Sequence, residues 1–339
     1  MPRLIVGVMG AGAVGTYAGV RLSAAGHRVI LVGRRRLVDS RDTLGAVTLD
    51  GRSIKPSANL VVSEVVDPLA EADVCLMAVK GGDSEAAAAQ LVGCLPSDRP
   101  VVSLQNGLRN PARIRRVWSG PVIPGVVAPN VFLDDNYVAH QATKGPFYVG
   151  AGADSEPLSQ LVASARAGGF DLRSSPVIRD IMAGKLLMNL GNGVGAALGL
   201  GWAELLGDSD ARWCFSECIL EGLGVMRTAG YRPKGAIALP PGIVGRALRL
   251  PGFVIGPAVR GLAGATEGSR SSTLQDLDRG RPTEIGDLNG EIVALAAGEP
   301  TPANTRVLDT VRAHEAARAA GRSPDYPSPA ALRSLIRAA

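Results

Sequence analysis

A chain of 339 residues has room for two domains of the usual size, about 100–200 residues each, with a core in both. Its 46% apolar and 20% charged residues exclude a disordered polymer, and with aromatics at only 4% those cores must be built from Ala, Val, Leu, Ile and Gly. The net charge of +5 is spread without basic blocks or interleaved aromatics, which argues against a nucleic-acid partner and mildly favours small anions.

At the N-terminus one basic residue, Arg3, precedes too short an apolar stretch for a secretion signal, so a cytoplasmic location is expected. Residues 4–9 predict a buried strand, the Gly-rich turn 10–15 opens a helix reaching Ala25, and residues 28–32 predict a second strand. Residues 47–63 alternate and carry Asp50-Gly51, which predicts a hairpin excursion. Residues 74–79 and 101–104 are continuous apolar runs of the kind found in parallel strands, separated by an Ala-rich helical stretch at 85–95. Residues 122–127 and 147–149 should finish the sheet.

After about residue 176 helical patterns take over, at 181–200, 211–228, 271–278, 284–297 and 301–319. The reading is therefore an α/β protein with an N-terminal Rossmann dinucleotide-binding domain, 1–176, followed by an all-α C-terminal domain, 177–339. The uncharged stretch 186–203 is long enough to raise a membrane span, but its five Gly and two Asn favour a buried helix, and no membrane partner is expected. Between 227 and 266 there are six basic residues, no acid, and Pro240-Pro241, so a single long helix is excluded there. Cys75, Cys94, Cys214 and Cys218 lack the spacing of a disulfide framework or a zinc pair, and buried packing is expected for Cys214 and Cys218.

The turn Gly10-Ala11-Gly12-Ala13-Val14-Gly15 sits where a dinucleotide fingerprint needs it, after a strand and opening a helix. Gly10 would allow the tight turn, Gly12 the close approach of a pyrophosphate, and Gly15 the close packing of helix on strand. The helix N-terminus would add N–H donors and a positive dipole. At the end of the second strand an NAD enzyme places an acid for the ribose hydroxyl, whereas here stand Gly33-Arg34-Arg35-Arg36 and no acid before Asp39. Guanidinium groups suit a 2′-phosphate, so NADP is the expected cofactor and Arg34, nearest the strand end, its expected ligand.

Reducing a ketone by hydride also needs a proton donor beside the carbonyl oxygen. His27, His140 and His314 stand before a strand, in a polar loop and in an Arg-rich helix, so lysine is the better acid. Lys80 ends a strand, where parallel sheets face their ligands. Lys185 stands alone in an apolar helix with Asn189 four residues on, hence on the same face; from spacing alone it could equally be a snorkelling surface lysine. Asn106, in Gln105-Asn106-Gly107, lies at another strand end, where Asn-Gly is also an ordinary turn signal.

With Ala78-Val79-Lys80, Gln105-Asn106-Gly107, Lys185 to Asn189, Ser271 to Asp276, and Pro282 to Gly290 following the glycine turn in that order, the chain resembles the ketopantoate reductases (2-dehydropantoate 2-reductases) from Leu4 to about Arg312. The resemblance implies an NADPH-dependent reductase of a 2-oxo acid, placed in pantothenate biosynthesis, with 2-dehydropantoate the first candidate substrate, bound in a cleft between the domains. It implies Lys185 as general acid, Glu284 as its partner or a ligand of the substrate hydroxyl, and Asn106 and Asn189 orienting the substrate. Ser272 would bind the carboxylate end, and Lys80 would lie near nicotinamide and substrate; a homodimer is left open. Gly193 departs from the family, which usually has a second substrate-contacting Asn there. With the spacing Gly191-x-x-x-Gly195-x-x-x-Gly199, this predicts either unusually close helix packing or a widened pocket, and a substrate bulkier or more apolar than ketopantoate. A β-hydroxyacid-type dehydrogenase and a non-catalytic NADP sensor are the competing readings. The Gln105-Asn106-Gly107 and Ser271 to Gln275 motifs count against the first, and the retained Lys185 and Glu284 against the second.

Overall fold

The computed structural model describes residues 3–151, 155–235, 239–252, 254 and 270–339. The chain divides into two compact units, Met1–Arg179 and Asp180–Ala339; the sequence reading set the division at 176/177.

The first unit is built on an eight-stranded sheet. Its strands are β1 (Ile5–Met9), β2 (Arg28–Val32), β5 (Leu60–Ser63), β6 (Val74–Met77), β7 (Val101–Ser103), β8 (Val122–Val127), β11 (Phe147–Gly150) and β12 (Leu172–Ser175), in the order β12-β11-β8-β7-β6-β1-β2-β5. From β5 to β8 neighbours run parallel, and β11 turns antiparallel to β8. The parallel strands are apolar on both faces because both are covered. Val6, Val8, Val29, Leu31 and Leu76 pack under α1 (Ala13–Ala24) and α5 (Glu156–Ala167), while Met9, Ile30, Cys75, Met77 and Val101 pack under α3 (Ser84–Val92) and α4 (Asn110–Arg115). Successive residues of one strand thus enter opposite cores, as a period of two requires. This is the Rossmann arrangement, with α2 (Arg35–Asp39) after β2.

The expected excursion at 47–63 is corrected in part. β3 (Gly45–Val47) and β4 (Ser53–Ile54) do form a hairpin around Gly51, whose φ of +81° suits glycine, but Leu60–Ser63 leaves it and joins the main sheet beside β2. A second sheet, β4-β3-β10-β9, is completed by β9 (Val131–Leu133) and β10 (Val138–Gln141), strands that the sequence reading missed. Tyr17 of α1 donates from its hydroxyl to Gln141 at 2.7 Å, tying this sheet to the helix.

Among its described residues the second unit has helices and no strand. The helix α6 (Ile178–Leu198) begins just before the unit boundary and α8 (Ser209–Thr228) packs against it: a Cβ on Gly222 would come within 2.8 Å of Leu187. Between them lies α7 (Trp202–Gly207). Cys214, Phe215, Cys218, Ile219 and Met226 form the buried stripe of α8. Helices Ser272–Asp278, Asn289–Leu295, Pro302–Ala319 and Pro329–Arg337 follow. The helix expected over 284–297 is broken, since Ile285–Asp287 is a 3₁₀ turn and Leu288, at φ −108° and ψ −99°, separates it from Asn289–Leu295. Of the acid-free stretch 227–266, α9 (Pro241–Ala247) is a short helix, and 236–238, 253 and 255–266 lie outside the described residues. The four cysteines are free, and burial pushes the thiols of Cys75 and Cys214 up to about 12, so they are packing groups. No helix among the described residues is long and apolar enough to cross a membrane.

Candidate functional site

The glycine turn shows three different demands on a missing side chain. Gly10 has φ +106°, and a Cβ there would stand 2.7 Å from the Val79 nitrogen, so the turn lies directly against the segment after β6. A Cβ on Gly15 would run into the Gly10 carbonyl, so α1 starts as close to β1 as backbone allows. Gly12 differs: it is exposed, and a Cβ would meet nothing within 4 Å among the described residues. The glycine keeps clear the space in front of α1, where Gly12 is the N-cap, no side chain caps the helix and no acid occupies its first turn. A pyrophosphate fits such an end, because N–H donors and dipole face it without a competing carboxylate. Ala11, Ala13 and Val14 complete the turn, and Ala11 is held near the end of β2, since a Cβ on Gly33 would be 2.7 Å from the Ala11 methyl.

The three arginines after Gly33 are not equivalent. Arg35 pairs with Asp39 at 3.2 Å and Glu64 at 3.4 Å; Arg36 reaches Asp135 at 3.7 Å and lies over the Tyr137 ring. Arg34, the N-cap of α2, is exposed, and its guanidinium has no partner among the described residues. Arg34 thus leaves a guanidinium at the carboxyl end of β2, beside the glycine turn.

Lys80 and Asn106 stand exposed at the carboxyl ends of β6 and β7. What joins their loops is Gln105, a residue quoted in the sequence motif but assigned no role there. Its amide nitrogen donates to the Val79 carbonyl at 2.9 Å and to Ser84 Oγ at 2.7 Å, and its oxygen accepts from Ser103 Oγ at 3.1 Å. Asn110 then donates to the Asn106 carbonyl at 2.6 Å. The first unit thereby gathers Gly10 to Gly15, Arg34, Lys80 and Asn106 on the carboxyl edge of its sheet, where open α/β sheets bind ligands.

In the second unit Lys185 is half-buried and Asn189 buried on α6. Burial pulls the Lys185 ammonium down to about 8 from its ordinary 10.5. A second feature of α6 is absent from the sequence reading. The segment around Lys234 crosses α6 at Gly184, where any Cβ would strike the Lys234 carbonyl, and it is pinned by bonds from the Lys234 and Arg232 nitrogens to Asp180, both at 2.9 Å. Glu284, half-buried, sits at the head of the 3₁₀ turn Ile285–Asp287. Ser272 is exposed at the first position of its helix, and Ser271 is the cap, accepting from the Leu274 nitrogen at 3.2 Å.

The widened pocket expected at Gly193 is not there. A Cβ on Gly193 would fall on the Asn289 side-chain oxygen, and those on Gly191 and Gly199 would come within about 3 Å of Trp202 and Phe215, and of Tyr326. The space at the glycines of α6, and at Gly199 just past its end, is filled by the unit's own chain, which leaves the close-packing alternative. The histidines are structural: His27 bridges the Leu4 nitrogen and Ser164, His140 pairs with Asp134 at 3.0 Å, and His314 meets the Ala197 carbonyl at 3.0 Å.

A family model described as "Ketopantoate reductase PanE/ApbA" matches residues 6–154, and its companion for the C terminal matches 177–315. A 2-dehydropantoate 2-reductase of Archaeoglobus fulgidus is 28% identical over 317 residues, covering 91% of this chain and 97% of its own. Among solved structures, a PanE/ApbA family ketopantoate reductase from Ralstonia eutropha JMP134 aligns with a TM-score of 0.79 at 27% identity, over 93% of this chain and 100% of that one. A D-mandelate dehydrogenase, solved with NADH and anilino(oxo)acetate, shares the fold at a TM-score of 0.73 and 22% identity, over 93% and 99%.

Proposed function

Since the chain belongs to the ketopantoate reductase family, a family of oxidoreductases, we propose that it reduces a 2-oxo acid with NADPH, and that 2-dehydropantoate is the first substrate to test. The observation that carries this reading is Lys185, a lysine in an apolar helix with its pKa brought to about 8. Such a group is still protonated at neutral pH yet gives up its proton far more readily than a surface lysine.

Bound at the 10–15 turn, a reduced nicotinamide dinucleotide supplies the hydride. The N–H groups that open α1 hold the pyrophosphate, and Arg34 holds the 2′-phosphate with charge-assisted bonds worth about 1.5–3 kcal/mol. Lys80 and Asn106, kept in place through Gln105, border the nicotinamide end. Lys185 donates its proton to the carbonyl oxygen as negative charge develops there, and Glu284 favours the charged form of Lys185 against the burial that opposes it. Asn189 directs the substrate from the same helix face, and Ser272 accepts the carboxylate end.

The test is a panel of 2-oxo acids run with NADPH and with NADH, followed by nicotinamide absorbance. The reading expects 2-dehydropantoate among the best substrates and kcat/KM higher with NADPH. The filled space at Gly193 takes away a widened pocket as a ground for a bulkier substrate but leaves the missing Asn contact as one, and a panel led by a bulky aryl oxo acid would favour that reading. Turnover of no 2-oxo acid, with tight NADPH binding, would replace the enzyme by a nucleotide sensor. Sedimentation of the same preparation tests the homodimer.

A further inference from the structure

Asn289 is fully buried where the Gly193 pocket was expected. Its amide nitrogen donates to Asn304 Oδ1 at 2.9 Å. Asn304 in turn donates from its own nitrogen to Glu221 Oε1 at 2.7 Å and to the Cys218 carbonyl at 3.1 Å. A carboxylate and a carbonyl only accept, so the Asn304 amide must present its nitrogen to them and its oxygen to Asn289. The Asn289 amide is oriented by that, and its own oxygen is turned the other way, toward α6. There it is buried without a hydrogen-bond donor among the described residues.

An unpaired buried oxygen opposes folding, so its position is informative. It rests against Gly193: besides falling on Asn289 Oδ1, a Cβ at 193 would stand 3.0 Å from Asn289 Cγ and 2.8 Å from Ile285 Cδ1. Ile285 directly follows Glu284 and opens the 3₁₀ turn. Gly193 lies two turns along α6 from Lys185, a rise of about 12 Å, with Asn189 between them. Rotation of the Asn289 amide would not relieve an added methyl group, because Asn304 holds it from behind and Glu221 holds Asn304. Glu221 is itself fixed by the Ala303 and Asn304 nitrogens, both at 2.9 Å, at the start of helix Pro302–Ala319.

We propose that Gly193 and Asn289 form a positioning contact that sets how the Ile285–Asp287 turn, and with it Glu284, stands on the helix carrying Lys185. Gly193 is then not a lost substrate ligand. Its bare Cα is what allows the turn to seat, with the Glu221, Asn304 and Asn289 side chains acting as a brace behind it. The functional consequence rests on the reading of Lys185 and Glu284 as a proton-donating pair.

Gly193→Ala, Asn289→Ala, Asn289→Ser and the double change Gly193→Ala/Asn289→Ala test it on the best 2-oxo acid of the panel, with amide exchange over residues 283–295 measured on each. Gly193→Ala is expected to lower kcat about 10- to 100-fold, as misplacement by roughly an ångström does, to leave the nicotinamide KM unchanged, and to speed exchange in 283–295. In the Asn289→Ala background the same change should cost little further, because the Asn289 atoms it strikes are gone and only the flexible end of Ile285 is left to give way. Asn289→Ser, which keeps a donor for Asn304, should retain more kcat than Asn289→Ala. Gly193→Ala with kcat within twofold of wild type would overturn the proposal, as would two losses that simply multiply. Should Gly193→Ala fail to fold, wild-type kcat in Asn289→Ala overturns it equally. If wild-type protein reduces no 2-oxo acid, the proton-transfer reading fails instead, and the exchange rates still decide whether the contact seats the turn.

Discussion

Two glycine-rich stretches, residues 10–15 in the first unit and 184–199 in the second, look alike in the sequence and do opposite things. Gly12 leaves space that no atom of the described residues fills, in front of a helix end with no side-chain cap among them. Gly184, Gly191, Gly193 and Gly199 admit the Lys234 carbonyl, Trp202 and Phe215, Asn289, and Tyr326. A missing side chain therefore marks a ligand site only where the backbone around it is exposed and has donors to offer. On the face of a buried helix it marks the approach of another part of the same chain. The two units differ in the same way: the groups proposed for the cofactor are exposed or backbone-borne, whereas those proposed for proton transfer are half-buried side chains on packed helices.

If the second unit holds the chemistry and the first the nucleotide, the sharpest separation comes from Lys185→Ala. Loss of a general acid typically costs about 10² to 10⁴ in rate, and this should appear in kcat with the nicotinamide KM unchanged. Glu284→Ala should act on the same proton, so the double change should cost far less than the product of the two single effects. A Lys185→Ala enzyme turning over near the wild-type rate, with hydride transfer shown to limit it, would take Lys185 out of the mechanism and make Lys80 the next lysine to examine.

Arg34→Ala probes the other unit. Removing one charge-assisted phosphate contact, about 1.5–3 kcal/mol, should weaken NADPH by roughly 10-fold or more and leave NADH and the melting temperature nearly unchanged. Arg35→Ala should do much less, because Arg35 is already engaged by Asp39 and Glu64. Equal losses for NADPH and NADH would mean that Arg34 does not touch the 2′-phosphate.

The contrast between the glycines can be broken directly by calorimetry. Gly191→Ala overfills a packed contact and should cost about 1–3 kcal/mol, lowering the melting temperature by roughly 2–4 °C per kcal/mol in a unit of this size. Gly12→Ala should leave the melting temperature alone and weaken the dinucleotide. Reversed outcomes would show that the turn is a packing element after all.

Strands β1, β2, β6, β7 and β8 and the long helices were legible because each is a run of one period, apolar on the faces it buries, and the glycine turn because it stands between two such runs. Other elements were hidden for identifiable reasons. β12 is Leu-Arg-Ser-Ser, an edge strand with Arg173 and Ser174 exposed, so it lacks an apolar run. β3 and β10 pair across more than 90 residues, which no local pattern records. The break at Leu288 lies in Gly286-Asp287-Leu288-Asn289-Gly290, a turn-prone run that the sequence reading passed over because apolar residues at helical spacing flank it. At the site, residue types and strand ends could be read, but the crossing at Gly184, the half-burial of Lys185 and the filling of Gly193 by Asn289 depend on tertiary contacts.

The smallest expected effect concerns pH, and its sign follows from Lys185 alone. Burial lowers its pKa to about 8, so the ammonium proposed as the proton donor is nearly complete below pH 7, half present at about 8, and scarce above. The rate of reduction, where chemistry limits it, should therefore roughly halve between pH 7 and 8, fall about fivefold by pH 9 and about tenfold for each further pH unit. Oxidation of the hydroxy acid needs the neutral amine and should rise over the same interval. The stability effect has the opposite sense to that of an ion-paired lysine. A folded pKa below the unfolded one means that the charged form is disfavoured in the fold, so this group's contribution to stability rises as pH climbs from about 8 toward 10.5. A reduction profile that stays flat to pH 10, with hydride transfer shown to be rate-limiting by a deuterium isotope effect, would place the proton donor elsewhere.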